Sequence, residues 1–181
     1  MKRLYFIAAT LLCSLAIIAQ EYKVEGNEVV FTKVIENTGK SVSETHDALE
    51  AFFALRYNDV NSTQRLNQPD HLIYKGIFSE LYTYTMGMWV NDVPHTVDVA
   101  IKNNRIRIKI SVVECVCHST QNLNKYTYPI AECSPIGNNN NNRNVLKSTA
   151  VKTFEALCQR IDALFADIEN SLDKSETEED W

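Results

Sequence analysis

The sequence predicts an α+β domain: a single antiparallel sheet of about five strands, with one helix in the N-terminal half and a long C-terminal helix, both packed on one face. Three observations carry this. Apolar and polar residues alternate on either side of Asn103-Asn104, which is the period of a strand with one buried face. Apolar residues recur at steps of three and four through 146–171, which is the period of a helix with one buried stripe. Between them in kind, a β-branched run at 29–35 leads through Gly39 into a helix-starting pair, Ser41 and Glu44. A sheet with one apolar face and an amphipathic helix each need a cover, and each supplies it to the other.

The elements follow in order. Residues 29–35 form the first strand, and Gly39 ends it. The serine-to-glutamate spacing of Ser41 and Glu44 is that of a capping box, so a helix runs from there to about position 57. Leu49, Phe52, Phe53 and Arg56 fall at helical spacing along it, and the aromatic pair belongs in the core. Residues 58–69 are polar and turn-rich, with room for a short edge strand. Residues 71–81 and 82–90 read as two strands, the second alternating Tyr82, Tyr84, Met86 and Met88 against Thr83, Thr85, Gly87 and Trp89. In the hairpin of 95–113, Asn103-Asn104 tolerates the positive φ of a two-residue turn. Ile101 then faces Ile106, Val99 faces Ile108 and Val97 faces Ile110, while Lys102, Arg105, Arg107 and Lys109 occupy the other side with Asp98 opposite Lys109. Residues 118–144 read as a long irregular loop that includes the asparagine run 138–142, expected to be disordered. The final helix presents Ala150, Phe154, Leu157, Ile161, Leu164 and Ile168, widened by Val151, Cys158 and Phe165.

The two ends bound the compartment and the charge. Lys2 and Arg3 precede an uncharged apolar run over 4–12 that continues through Ile18, and Ile17 and Ala19 suit the positions before a signal-peptidase cut. The expectation is a signal peptide over 1–19 and a single domain over 20–171. The apolar run falls short of the roughly 20 residues of a bilayer span, and Leu12 sits where a lipidated Cys13 would want a small residue. An exported protein that is not integral to the membrane follows. Removing Lys2 and Arg3 leaves 16 basic against 23 acidic residues, a balance that argues against nucleic acid as a partner. The acidic end, 172–181, is too polar to order itself and reads as a disordered tail.

The order strand, helix, about four antiparallel strands, long helix resembles a family of exported bacterial proteins. That family is catalogued as a domain of unknown function with a TATA-box-binding-protein-like fold. Two segments carry the resemblance: VVFTKVIENTGKSVSETHDALEAFFA at 29–54, a strand passing through a glycine into a helix, and HLIYKGIFSE at 71–80, a strand with Gly76 at its middle. The hairpin over 101–110 fits the later strands, and the likeness covers about 24–113. It implies a β-α-β4-α order and, since members come from Gram-negative bacteria, the periplasm or cell surface. It supplies no catalytic residues, and the fold alone conveys no DNA binding.

The cysteines offer the sharpest chemistry. The mature chain holds Cys115, Cys117, Cys133 and Cys158, and an even count in an oxidising compartment points to disulfides. Cys115 and Cys117 project in parallel from one strand and do not pair with each other. That leaves Cys115–Cys133 with Cys117–Cys158, or Cys117–Cys133 with Cys115–Cys158; Cys117–Cys133, closing the long loop, is the expected bridge, with Cys158 alternatively a free buried thiol. Unbroken alternation from Ile110 places Cys115 and Cys117 on the basic face, whereas a bulge near Val112, Val113 and Glu114 turns both inward. Zinc on Cys115, Cys117, His118 and Cys133 is the weaker alternative, because the spacing lacks the usual gap. His46, His71, His95 and His118 are scattered, and no phosphate loop, metalloprotease helix or nucleophile elbow is present. The sequence therefore names no cofactor and no catalytic residue. It points to a non-enzymatic binding module whose partner is a protein or envelope component, with Arg105, Arg107 and Lys109 as contacts. The alternative is a carrier of a small apolar ligand held between sheet and C-terminal helix, lined by Tyr82, Tyr84, Met86 and Met88.

Overall fold

In the computed structural model, residues 22–36, 38–57, 59–135 and 147–173 are described; the expected signal peptide, the asparagine run and the residues of the acidic tail from 174 on lie outside them. The chain runs β1 (Tyr22–Glu25), β2 (Glu28–Glu36), α1 (Val42–Arg56), the single turn α2 (Val60–Thr63), β3 (Gln64–Gln68), β4 (His71–Tyr84), β5 (Trp89–Lys102), β6 (Arg105–Val112), β7 (Glu114–Ser119) and β8 (Lys125–Pro129). A 3-10 turn (Ile130–Cys133) and the long helix α3 (Lys147–Asp173) complete it. All eight strands belong to one antiparallel sheet, ordered β1-β2-β6-β5-β4-β3, with β7 and β8 extending it beside β5.

The expectation of about five strands is therefore too low. β1 and β3 are short edge strands whose sequences, YKVE and QRLNQ, lack the apolar run that marks a buried strand. β8 arises within the stretch 118–144 read as an irregular loop, and β7 runs two residues into its start, so a hairpin occupies that stretch as far as Pro129. The boundary expected at 81/82 also moves. β4 continues through Tyr84 across a bulge between Phe78 and Tyr82, where Glu80 has a φ of 51° and its amide is held by Asp92 Oδ1 at 2.8 Å. The chain then reverses over 85–88, with φ of 52°, 53° and 84° at Thr85, Met86 and Gly87. Only Gly87 adopts that region without a steric cost.

β5 is the strand that organises the sheet. It pairs with β4 along one side and with β6 (Thr96↔Ser111 to Lys102↔Arg105) and β7 (Trp89↔Ser119 to Asp92↔Val116) along the other. Between the last two, the partner has one residue more than β5, so a bulge falls at 113–114 and Pro94, which has no amide to give, stands opposite the break. The extra residue shifts parity by one. Val112, Cys115 and Cys117 are thus all buried, while Val113 is exposed.

Both longer helices cover the apolar face, as the burial pattern requires. Ser41 caps α1 as expected: its Oγ accepts from Glu44 N at 3.2 Å, and its own amide donates to Glu44 Oε2 at 2.8 Å. Phe53 stacks on Tyr74 with ring centroids 4.4 Å apart. Phe154, Leu157, Ile161, Leu164 and Ile168 of α3 are buried in one continuous cluster with Val97, Val99, Ile108 and Ile110 of the sheet. Tyr22 and Phe31 meet Phe154 at 5.1 and 6.4 Å. Leu157 is fully buried, and truncation to alanine at such a site costs about 2–5 kcal/mol. One cation sits on this face: Lys33, opposite Ile108, reaches Glu169 of α3 at 2.5 Å, and Arg56 ties α1 to Asp167 at 2.8 Å. No described helix is long and apolar enough to cross a membrane.

Candidate functional site

The face of the sheet away from the helices is uncovered among the described residues, and the strand registers decide which side chains point to it. Val97, Val99 and Ile101 turn inward, so Thr96, Asp98, Ala100 and Lys102 turn outward; on β6 the outward set is Arg105, Arg107, Lys109 and Ser111. Lys75 and Ile77 of β4 continue it on the far side of β5. Arg105 and Arg107 are exposed and Lys109 is half-buried. Among the described residues no carboxylate lies within ion-pair distance of Lys75, Lys102, Arg105, Arg107 or Lys109. Asp98, directly across from Lys109, is engaged by His71 Nε2 at 3.0 Å. The chain is acidic as a whole, with a formal charge of -5, yet this row is cationic.

Two depressions lie along this region. One of about 360 Å³ is bounded by Val34, Glu36, Ala100, Lys102, Arg105 and Arg107. The larger, about 700 Å³, lies where the sheet bends: Lys75, Ile77, Pro94, Thr96, Ser111 and Val113 line it, with Arg65 of β3 and Arg56 and Tyr57 from the end of α1. β3 pairs with β4 only as far as Tyr74, so the edge of β4 beyond that point has no neighbouring strand, and the C-terminus of α1 drops across it.

The wall of the larger cleft holds a buried polar pair that sequence reasoning missed. His95 is 4% exposed, stacks on Phe78 at 3.8 Å and 15°, and lies opposite Gly76. Its Nδ1 faces the Val93 carbonyl at 3.5 Å, so that nitrogen carries the proton and Nε2 accepts from the Tyr57 hydroxyl at 3.0 Å. Burial drives the His95 pKa down to about 4 and that of Tyr57 up to about 12, so both are neutral around pH 7. Gly76 makes room for them: a Cβ there would lie 2.5 Å from Tyr57 Cε1 and 2.9 Å from the His95 ring. The signal was available in the alternation, which puts residue 95 on the same side as Val97 and Val99, across from the one glycine of its neighbouring strand.

The cysteines do not form the expected bridge. Cys115, Cys117, Cys133 and Cys158 are free thiols, so the Cys117–Cys133 disulfide is corrected. Cys117 instead meets the Tyr84 hydroxyl at 3.0 Å, and that hydroxyl also meets Tyr126 Oη at 2.6 Å. Tyr126 and Tyr128 of β8 stand across from Cys117 and Cys115. Burial pushes the Cys115 and Cys133 thiols up to about 12 and Cys158 to about 11, the opposite of an activated nucleophile. His118 points away from them toward Asp92, at 3.4 Å. Among the described residues the one group with metal-ligand proximity is His46, Asp47 and Glu50. Two of its members are tied up by Asn67, which accepts from His46 Nε2 and donates to Glu50 Oε1, both at 2.7 Å.

The apolar-carrier residues are not brought together either. Tyr82 and Tyr84 stack on each other at 6.2 Å, but Met86 sits at the tip of the β4–β5 turn, 98% exposed, and Met88 closes that turn by donating its amide to Thr85 O at 3.1 Å. The alternation that placed the four on one face ends where the backbone turns over at Thr85. Met86, in water, does not face α3.

No protein-family model matches the chain, and no curated protein matches it in sequence. Solved structures do match in fold. A TATA-box-binding-protein-like (TBP-like) protein from Parabacteroides distasonis superposes with a TM-score of 0.66 at 14% identity, over 84% of this chain and 97% of that one. A DUF4468 family protein from Bacteroides ovatus gives 0.60 at 16% identity, over 86% of this chain and 92% of its own. The fold is thus the TBP-like α+β fold of bacterial proteins of unknown function.

Proposed function

From this fold as premise, we propose that the chain is an exported binding module of the periplasm or cell surface whose open sheet face takes an acidic protein or envelope component. One observation carries the reading: three successive outward positions of β6, Arg105, Arg107 and Lys109, are cationic and have no ion-pair partner among the described residues, in a chain that is acidic overall. The two depressions flanking the row give an extended partner a seat. A rigid sheet holding unpaired cations at fixed spacing favours an anionic partner through complementarity and faster encounter. Export is supported by the charged start and apolar run of 1–19.

The test is titration calorimetry of the chain with poly-L-glutamate and, separately, with a DNA duplex, at low and physiological salt. Binding to the polypeptide that weakens with salt and is lost in R105E/R107E/K109E supports the reading. Unchanged affinity in that variant, or equal binding to the duplex, overturns it. Arg105 and Arg107 are exposed and Lys109 is half-buried; because the reversal sets like charges opposite Glu36 and Asp98, R105Q/R107Q/K109Q is measured beside it, and both are compared with the parent at temperatures where circular dichroism shows each folded.

A further inference from the structure

At the end of the sheet away from the Asn103-Asn104 turn, two hairpin tips lie together, β4–β5 over 85–88 and β7–β8 over 120–124. Thr120 pins one to the other: its amide donates to Met88 O at 3.0 Å and its hydroxyl to Gly87 O at 2.9 Å. Each tip ends in one apolar side chain in full contact with water, Met86 (98% exposed) and Leu123 (101%). Behind them stand Trp89 and Tyr126, 5.5 Å apart, and the stacked pair Tyr82 and Tyr84. Neither 82–90 nor 119–128 contains a carboxylate, in a chain with 23 of them, and Lys125 is the one charge.

We infer that this end of the sheet seats in the interfacial layer of a lipid bilayer, with Met86 and Leu123 inserted, the Trp and Tyr rings at headgroup level, and Lys125 meeting anionic headgroups. Apolar apex, amphipathic aromatic collar and flanking cation follow the order of polarity of that layer. Hydrocarbon offers no hydrogen bonds, and the two turns close part of their backbone on themselves, which lowers the cost of leaving water: Met88 N goes to Thr85 O (3.1 Å), Ser119 N to Asn124 O (2.9 Å), Gln121 N to Ser119 Oγ (3.2 Å) and Asn124 N to Asn122 Oδ1 (2.9 Å). The cross-pin also fixes both side chains before contact, which spares the ordering cost on binding.

Trp89 lies at the site, and W181F leaves it as the sole tryptophan of the chain. This local reporter matters because the apolar run of 4–12 has lipid affinity of its own. The W181F chain is mixed with phosphatidylcholine vesicles, with and without one quarter phosphatidylglycerol, and with brominated analogues of both. The expected result is a blue shift of Trp89 emission, quenching by brominated chains, and tighter partitioning to the anionic vesicles that K125E reduces several-fold. Each inserted apolar side chain contributes roughly 10- to 100-fold in partitioning, so M86E/L123E lowers tip partitioning by at least about 100-fold while its circular dichroism and melting temperature stay those of the parent. Emission of Trp89 that ignores vesicles, or a shift that survives M86E/L123E, overturns the inference.

Discussion

Protonation of His95 sets a pH limit on the fold, and its size follows from the geometry. The ring is packed between Phe78 and Tyr57 and is 4% exposed, so a second ring proton would place a charge out of reach of water, with the tyrosine hydroxyl having to turn from donor to acceptor to meet it. Its pKa falls from 6.5 in the unfolded chain to about 4 in the folded one. Between those values the unfolded state binds the proton and the folded state does not. Stability therefore declines as pH drops from about 6.5 to about 4, and is unaffected by this group above and below that window. At about 1.4 kcal/mol per pKa unit, the loss by pH 4.5 is about 2–3 kcal/mol. The perturbation is H95Q, which keeps a hydrogen-bonding group but never charges in this range. Urea unfolding of both proteins at pH 7.5, 6, 5 and 4.5 gives the difference between them, in which the titration of surface carboxylates cancels. The wild type is the more stable at pH 7.5, and its advantage shrinks by about 2–3 kcal/mol at pH 4.5. Parallel curves across the series would refute the argument, because they would mean that His95 titrates alike in both states.

Three further outcomes follow from the same packing. G76A pushes a methyl into the Tyr57 and His95 rings and destabilises by about 1–3 kcal/mol, a drop of several degrees in melting temperature; in a Y57A background the same change costs less, and equal costs would dissociate Gly76 from that ring. T153V strands the buried Nδ2 of Asn91, which donates to Thr153 Oγ1 at 2.8 Å, and costs about 1–3 kcal/mol in urea unfolding, whereas T153S retains most of the stability. Peptide-mapped alkylation of unreduced protein labels Cys115, Cys117 and Cys133 slowly when folded and all four sites, Cys158 included, in denaturant; any of the four resisting label in denaturant without reductant indicates a disulfide.

What the sequence disclosed depended on whether the deciding signal was local. The pairs Ile101–Ile106, Val99–Ile108 and Val97–Ile110 stand in register as the alternation implied, because a two-residue turn leaves no freedom in which residues meet. The stripe of α3 and the Ser41–Glu44 cap were legible for the same reason. The second strand expected over 82–90 failed at Thr85 and Met86, whose φ values no rule for those residue types anticipates. The short edge strand for which 58–69 had room is β3; β1 escaped notice because an edge strand needs no apolar run, and β8 because KYTYP reads as loop until β7 offers it a partner. The basic row of β6 was visible from alternation alone. The cleft beside it was not, since Arg56, Arg65 and Lys75 come from three elements whose meeting is a tertiary fact. The disulfide was inferred from a count in an assumed compartment, and the tyrosines beside Cys117 lie on two other strands.

The placement of β2 has a consequence for biosynthesis. Its inner neighbour is β6, so an apolar nine-residue segment made early must wait on the ribosome until residues past Arg105 emerge, with only the four residues of β1 to shield one edge. Nascent chains halted within β5 will expose that segment to aggregation, and a cell making this protein in quantity has reason to keep a holding chaperone on it until the β5–β6 hairpin closes.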